Sequence, residues 1–341
     1  MLLLSSFLGG AMLAASANAA DIVKVDTWGT PQVLVYSYTE GFRHDSIPTA
    51  IETFKKRGKD WGVNFTFTED PNYFTVDNLM QYDSMLFLQT SEEVLNWDQQ
   101  GALQRYWQSG GNWVGVHCAS SCLRNSDSFY QTVGARFDYH PEFQQATFMP
   151  LVKNHPSNRN IPDRWTYKEE VYFFVSDPRD QNATVTMTVD AASFKNEGGN
   201  QPPQGSPHPI AWYIENFNGS KPLINGAEKS GRSFYTALGH SNETWNDELF
   251  IGHMMGGLVW ALDGASTKAY GQGVVGQQRP ATPPPPPPKP TNVTNDSVNA
   301  QKDGSNATSS AAGASAKPSS GSTRTAAGLL LGVLGAAAAL L

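Results

Sequence analysis

The chain has 341 residues, 39% of them hydrophobic and 11% aromatic, which is ample for a large core once the two ends are set aside. Its size suits one folded domain of about 240 to 250 residues. A formal net charge of −7, with 16% charged residues, shows no basic excess and argues against nucleic acid as a partner.

The first 20 residues, "MLLLSSFLGGAMLAASANAA", are a short apolar run followed by small residues of A-x-A type at Ala17 and Ala19. They read as a cleaved secretory signal, although no Lys or Arg precedes the run. The folded domain is expected over residues 21–280. In it, "QVLVYSY" (32–38) and "SMLFLQT" (84–90) are near-continuous apolar runs, the pattern of strands covered on both faces in a parallel sheet.

Between them Ile47, Ala50, Ile51 and Phe54 recur at helical spacing after the capping candidates Asp45 and Ser46, and Val63, Phe65 and Phe67 alternate as a strand. A second helix is marked by Asn96 as cap, by Leu103, Tyr106 and Trp107 as buried stripe, and by Gly110 and Gly111 as stop. Residues 113–116 form the next strand. The first half thus predicts an α/β fold with a doubly wound, mostly parallel sheet and right-handed crossovers. Extra strands follow near 144–152, 183–189, 210–215 and 233–238, before a final helix through "NDELFIGHMMGGLVWALDG".

From residue 281 the composition changes to a run of six prolines and a Ser/Thr/Asn/Gly-rich stretch that cannot bury a core. Residues 281–325 read as a disordered stalk. The apolar residues 326–341 follow a polar spacer and the small residues Gly313, Ala314 and Ser315, which is the order of a GPI-attachment signal; a tail-anchored helix is the alternative. Seven N-x-[ST] sequons, at Asn64, Asn182, Asn218, Asn242, Asn292, Asn295 and Asn306, add an expectation of glycosylation. Together these features predict a secreted, cell-surface glycoprotein held to the membrane by a lipid anchor.

In an open parallel sheet, ligands collect beyond the carboxyl ends of strands. "TEGFRHDSI", "LQTSEEVLN" and "GVHCASS" fall there, so His44 and His117 occupy such positions. The other histidines stand at 140, 155, 208, 240 and 253, and His253, inside the last helix, reads as structural. Several imidazoles brought to one sheet edge would serve proton transfer or hold a metal.

Six blocks, "GFRHDSI", "YDSMLFLQT", "GGNWVGVHCAS", "VGARFDYHPEFQ", "HPIAWY" and "GRSFYTALGHSNETW…LFIGHMMGGLVWAL", resemble in order those of the trehalose-utilisation, ThuA-like family over residues 33–262. The resemblance implies a fold similar to class I glutamine amidotransferases, whose strand-to-helix elbow carries a cysteine in G-x-C-x-G. Here the apex of the elbow Gly115-Val116-His117-Cys118-Ala119 is His117, and Cys118 lies one position on, rotated away by about 100°. That register is wrong for an amidotransferase nucleophile. Cys118 and Cys122, four apart, form either a disulfide or two free buried thiols, since i and i+4 Cα atoms on a helix lie about 6 Å apart, near the limit for bridging.

The resemblance further implies a role in sugar metabolism and a cleft ringed by His44, His117, His140 and His240. Arg43, Asp45, Glu169, Glu170, Tyr172 and Trp212 are residue types suited to sugar hydroxyls and ring faces. One of Glu169 and Glu170 is the expected carboxylate, because alternation along a strand lets only one face the cleft. His117 and His44 are then proton-transfer groups or ligands, His140 and His240 supports or further ligands, and Arg43 an anion or hydroxyl clamp. Two or three imidazoles with a carboxylate would suit a divalent metal such as Zn, though no H-x-H or H-E-x-x-H spacing is present. The expectation is an enzyme acting on a sugar or glycoconjugate by hydrolysis, elimination or isomerisation. A non-catalytic carbohydrate-binding or display domain is the alternative, and a purely structural wall protein is a third reading.

Overall fold

The computed structural model describes residues 30–197, 202–264 and 266–278. The segments expected to be signal, stalk and tail, with the sequons at Asn292, Asn295 and Asn306, lie outside the described residues. Every described residue belongs to one compact unit. Among the described residues, no helix is long and apolar enough to cross a membrane.

In chain order the elements are β1 (Gln32–Tyr36), α1 (Ile47–Arg57), β2 (Asn64–Thr68), α2 (Val76–Leu79), β3 (Ser84–Leu88), α3 (Trp97–Gln108), β4 (Asn112–Val116) and α4 (Asp127–Val133). There follow β5 (Phe137–Tyr139), β6 (Gln144–Pro150), β7 (Trp165–Glu169), β8 (Phe173–Phe174), β9 (Thr184–Val189), β10 (Ala211–Glu215), β11 (Arg232–Thr236) and α5 (Glu248–Leu262). A nine-stranded sheet runs in the order β2-β1-β3-β4-β11-β10-β9-β6-β7, and β5 pairs with β8 apart from it.

The sheet is mixed. β2, β1, β3, β4 and β11 are mutually parallel. The pairings from β11 through β10, β9 and β6 to β7 are antiparallel. Of the parallel strands, β1, β3 and β4 are buried along their whole length, as their apolar runs require. Four alternations of direction separate β7 from β11, so β7 again points the same way as β4. The carboxyl ends of β1, β4, β11 and β7 therefore reach one edge of the sheet.

Local sequence explains the helices. Asn96 caps α3 through a capping box with Gln99, and Leu103, Tyr106 and Trp107 lie buried beneath it. α5 is apolar on most sides because it sits in the core, where Gly257 lets it approach Phe234 so closely that an added Cβ would lie 2.1 Å from the Phe234 ring. Ser46 caps α1 by position only; its hydroxyl instead donates to the His240 carbonyl at 2.6 Å, tying α1 to the loop after β11.

One reading from sequence is corrected here, and one open alternative is decided. Asn64 opens β2 and is buried, so a glycan has no room on it in the folded chain; Asn182 and Asn218 are exposed in turns. Cys118 and Cys122 are both free and buried. The segment His117–Ser121 is a 3-10 turn, not an α-helix, and it sends the two sulfurs to different neighbours: Cys118 Sγ lies 3.5 Å from His44 Nδ1, and Cys122 Sγ lies 3.1 Å from the Thr90 hydroxyl.

Candidate metal centre

The site is built at the shared carboxyl edge. β4 ends at Val116, and His117 takes φ +56°, the left-handed backbone region a non-glycine residue enters only when held there. The turn presents its ring from the apex of the elbow, fully buried. His117 Nδ1 lies 2.6 Å from the Ala237 carbonyl, which only accepts, so Nδ1 carries a proton and Nε2 faces the cluster. His44 arrives on the loop after β1, and its Nε2 meets His117 Nε2 at 3.1 Å. His240 follows Gly239, whose φ of +123° suits glycine, at the end of β11.

Glu170 comes from the end of β7. Its Oε2 lies 3.3 Å from His117 Nε2 and 3.2 Å from His240 Nδ1, and its Oε1 lies 3.5 Å from His140 Nε2. The ligating atoms of His44, His117, Glu170 and His240 all lie within 4.8 Å of one another. Three of these residues are buried and His240 is half-buried. Residues remote in the chain thus converge on one point.

Alternation divides the two glutamates. Glu170 enters the cluster, whereas Glu169 turns behind it and is fully buried. Glu169 accepts from the backbone N–H groups of Gly239 (3.0 Å) and His240 (3.2 Å) and from the Thr244 hydroxyl (3.2 Å). Burial raises its pKa. It fixes the His240 loop, so of the two candidate carboxylates the one that enters the cluster is Glu170.

Burial, then the neighbouring His117 and His240 rings, push His44 down to about 2, so it is neutral. Burial alone would raise Glu170, but the adjoining His117 and His240 rings hold it well below the usual carboxylate range. Burial works against protonated His240, yet Glu170 holds it above its ordinary value.

These residues fit a divalent cation. The proton on His117 Nδ1 leaves a lone pair on Nε2 directed at the neutral His44 ring and at an ionised Glu170 oxygen. Lone pairs that face one another at about 3 Å need a proton or a cation between them. His240 Nδ1 is buried 3.2 Å from Glu170 Oε2, with no well-formed hydrogen bond among the described residues. Three imidazole nitrogens and one carboxylate are a donor set for Zn or a similar first-row ion.

Around the cluster, the Tyr172 hydroxyl lies 2.9 Å from His117 Nε2, and the His140 ring stacks on Tyr172 with centroids 5.7 Å apart. The His140 side chain is 36% exposed, at the rim. Two other expected residues lie elsewhere. Trp212 is buried in β10, donates to the Val133 carbonyl and packs on Tyr235, so it is core and not a sugar platform. Arg43 is exposed but turns to Glu69 at 2.7 Å and to the Ser37 carbonyl, away from the imidazoles.

Asp45 lines a hollow with Phe42, His44, His240, Ser241 and Asn242. His240 is therefore at the mouth, and a glycan on Asn242 would stand in it. Phe42 and Phe143, which the sequence reading missed, flank the rings of His44 and His240 at 4.8 and 4.7 Å. Both lie within three residues of a histidine, in "GFRH" and "HPEF", and that adjacency was the available signal.

The fold and this cluster define an α/β protein with a candidate His₃Glu metal centre at the carboxyl edge of its sheet. Residues 32–261 match the family model ThuA, trehalose utilisation, and the chain belongs to that family. A ThuA-like protein from Bacteroides uniformis shares 18% identity and a TM-score of 0.54, over 70% of this chain and 94% of that one. Another, from Parabacteroides merdae, shares 16% identity and a TM-score of 0.51, over 72% of this chain and 97% of that one. Among curated proteins, none matches the chain.

Proposed function

We propose that the chain is an extracellular, metal-dependent enzyme acting on a sugar or glycoconjugate beside a carbonyl, on the doubly wound, amidotransferase-like scaffold that the resemblance implies. The observation that carries this reading is the convergence of His44, His117, His240 and Glu170. The family's description supports the sugar. The terminal segments and the exposed sequons Asn182 and Asn218 support the secretory route and a glycosylated surface.

His44, His117, His240 and Glu170 would hold the ion, which would supply Lewis acidity to polarise a carbonyl or acidify water. With four protein ligands, an ion that accepts five or six neighbours keeps room for a substrate oxygen, whereas a strictly tetrahedral one is closed. His140 donates from Nδ1 to the Pro141 carbonyl, at 2.9 Å, which leaves Nε2 as an acceptor at the rim. It is the group placed to take a proton from substrate and pass it to solvent. Tyr172 is a neutral donor beside the cluster for a substrate oxygen, and Glu169 holds His240 in place.

Elemental analysis of the purified protein tests the reading. It predicts about one divalent ion per chain, lost in His117→Ala and Glu170→Gln; full metal content in both variants contradicts it. Turnover of a carbonyl-bearing sugar that falls at least 100-fold in His140→Ala separates an enzyme from a domain that only binds.

A further inference from the structure

We propose that the hollow beside the cluster, about 190 Å³ and lined by Phe42, His44, Asp45, His240, Asn242 and Glu243, is a subsite for one neutral sugar ring, with the Asn242 sequon carrying no glycan. Phe42 supplies its stacking face, and Asp45 and Glu243 accept from hydroxyls. This inference deepens the sugar reading above and rests on it.

Phe42 is 69% exposed beside a buried polar centre. Its ring meets the edge of His44 at 4.8 Å with an interplanar angle of 83°, so most of the ring remains open to solvent. Phe143, on the other side of His240, is already covered by the Lys168 ammonium at 4.7 Å. Phe42 is thus the open aromatic face at this mouth, suited to the apolar side of a sugar ring. The hollow lies below the size range of drug-like ligand pockets, which limits it to a single ring.

Charge sets the class of ring. Asp45 is exposed and has no partner among the described residues, and Glu243 lines the same hollow. Arg43 is engaged by Glu69, whereas Lys168 lies over the Phe143 ring and its charge also reaches Glu243. Two carboxylates at the mouth would offset the charge of a divalent ion held with Glu170. They favour neutral hydroxyls and repel phosphate or carboxylate substituents.

The test is a ligand-detected NMR titration of the full-length, metal-loaded protein. Glucose, galactose, mannose and xylose are the neutral ligands; glucose 6-phosphate and glucuronate are the anionic ones. At least one neutral sugar is expected to saturate wild type and Phe42→Trp, with affinity at least tenfold lower in Phe42→Ala. The anionic sugars should bind at least tenfold more weakly and recover in Asp45→Asn/Glu243→Gln. Since Phe42 is exposed, unchanged metal content and thermal midpoint verify each Phe42 variant. Equal binding of a neutral sugar by wild type and Phe42→Ala, or tighter binding of the anionic sugars, overturns the subsite and leaves the sugar reading standing. No saturation by any sugar of a protein with its full metal content overturns both.

Discussion

His117 and His44 face each other nitrogen to nitrogen, Nε2 to Nε2 at 3.1 Å, with the other nitrogen of His117 committed to the Ala237 carbonyl. Glu170 closes the same space from the end of β7. Without an ion, His117 Nε2 has only the Tyr172 hydroxyl and the His44 ring to satisfy it, and the Glu170 carboxylate faces a His117 ring that carries no charge to match it. A chelator should therefore lower the thermal midpoint, and a restored ion should raise it. At an ion concentration about a thousandfold above Kd the gain is about 4 kcal/mol, or of order 10 °C for a domain of this size. Calorimetry with Zn, Mn and Co measures it; a midpoint indifferent to all three and to chelator would contradict the account.

Glu169 connects the fold to the centre. Glu169→Gln keeps the shape but turns an amide N–H₂ toward N–H and O–H donors. It should cost about 2–4 kcal/mol of stability and weaken metal binding 10–100-fold through the displaced His240 loop. Denaturant titration and metal titration read the two effects separately. A variant with wild-type values in both would show that Glu169 does not position His240.

Both cysteines should titrate as thiols. Burial pushes Cys122 up to about 12 and raises Cys118 well above the ordinary thiol value, so neither offers a thiolate in the native protein. A thiol reagent should count none in the native state and two after denaturation without reductant. A count of zero in both would restore the disulfide.

Acid should destabilise the chelated protein through histidines that play no part in the centre. His253 is buried in α5, donating from Nδ1 to the Ser157 carbonyl and accepting at Nε2 from Thr236, and burial pushes it down to about 4. Its unfolded value is about 6.5, so between those values the unfolded chain binds the extra proton. The stability His253 contributes is present above about pH 6.5 and is lost as pH falls toward 4, of order 3 kcal/mol in total. His155, pushed down by burial to about 3, acts with the same sign. His253→Gln should flatten the slope of urea midpoint against pH by about one proton; an unchanged slope would refute this assignment.

The sequence made the edge of the sheet legible, because apolar runs locate the parallel strands and place His44 and His117 just beyond them. It could not choose between Glu169 and Glu170, since alternation says that one faces inward but not which. Trp212 was chosen by residue type, and only the packing of β10 between β11 and β9 shows that its ring belongs to the core. Arg43 adjoins His44 in the chain, yet neighbouring residues of an irregular turn point apart, and Glu69 on the next segment captures it. Asn64 was not legible in the same way: the alternation of Val63, Phe65 and Phe67 puts it on the opposite face, and only the covered sheet shows that this face is buried too.

X-ray absorption at the metal edge of the purified protein tests the central claim most directly. The account predicts about one first-row ion per chain in a shell of three imidazole nitrogens and carboxylate oxygen, reduced by one imidazole in His240→Ala. A protein isolated with intact structure that takes up no ion, or holds one in a shell unchanged by His240→Ala, would contradict it.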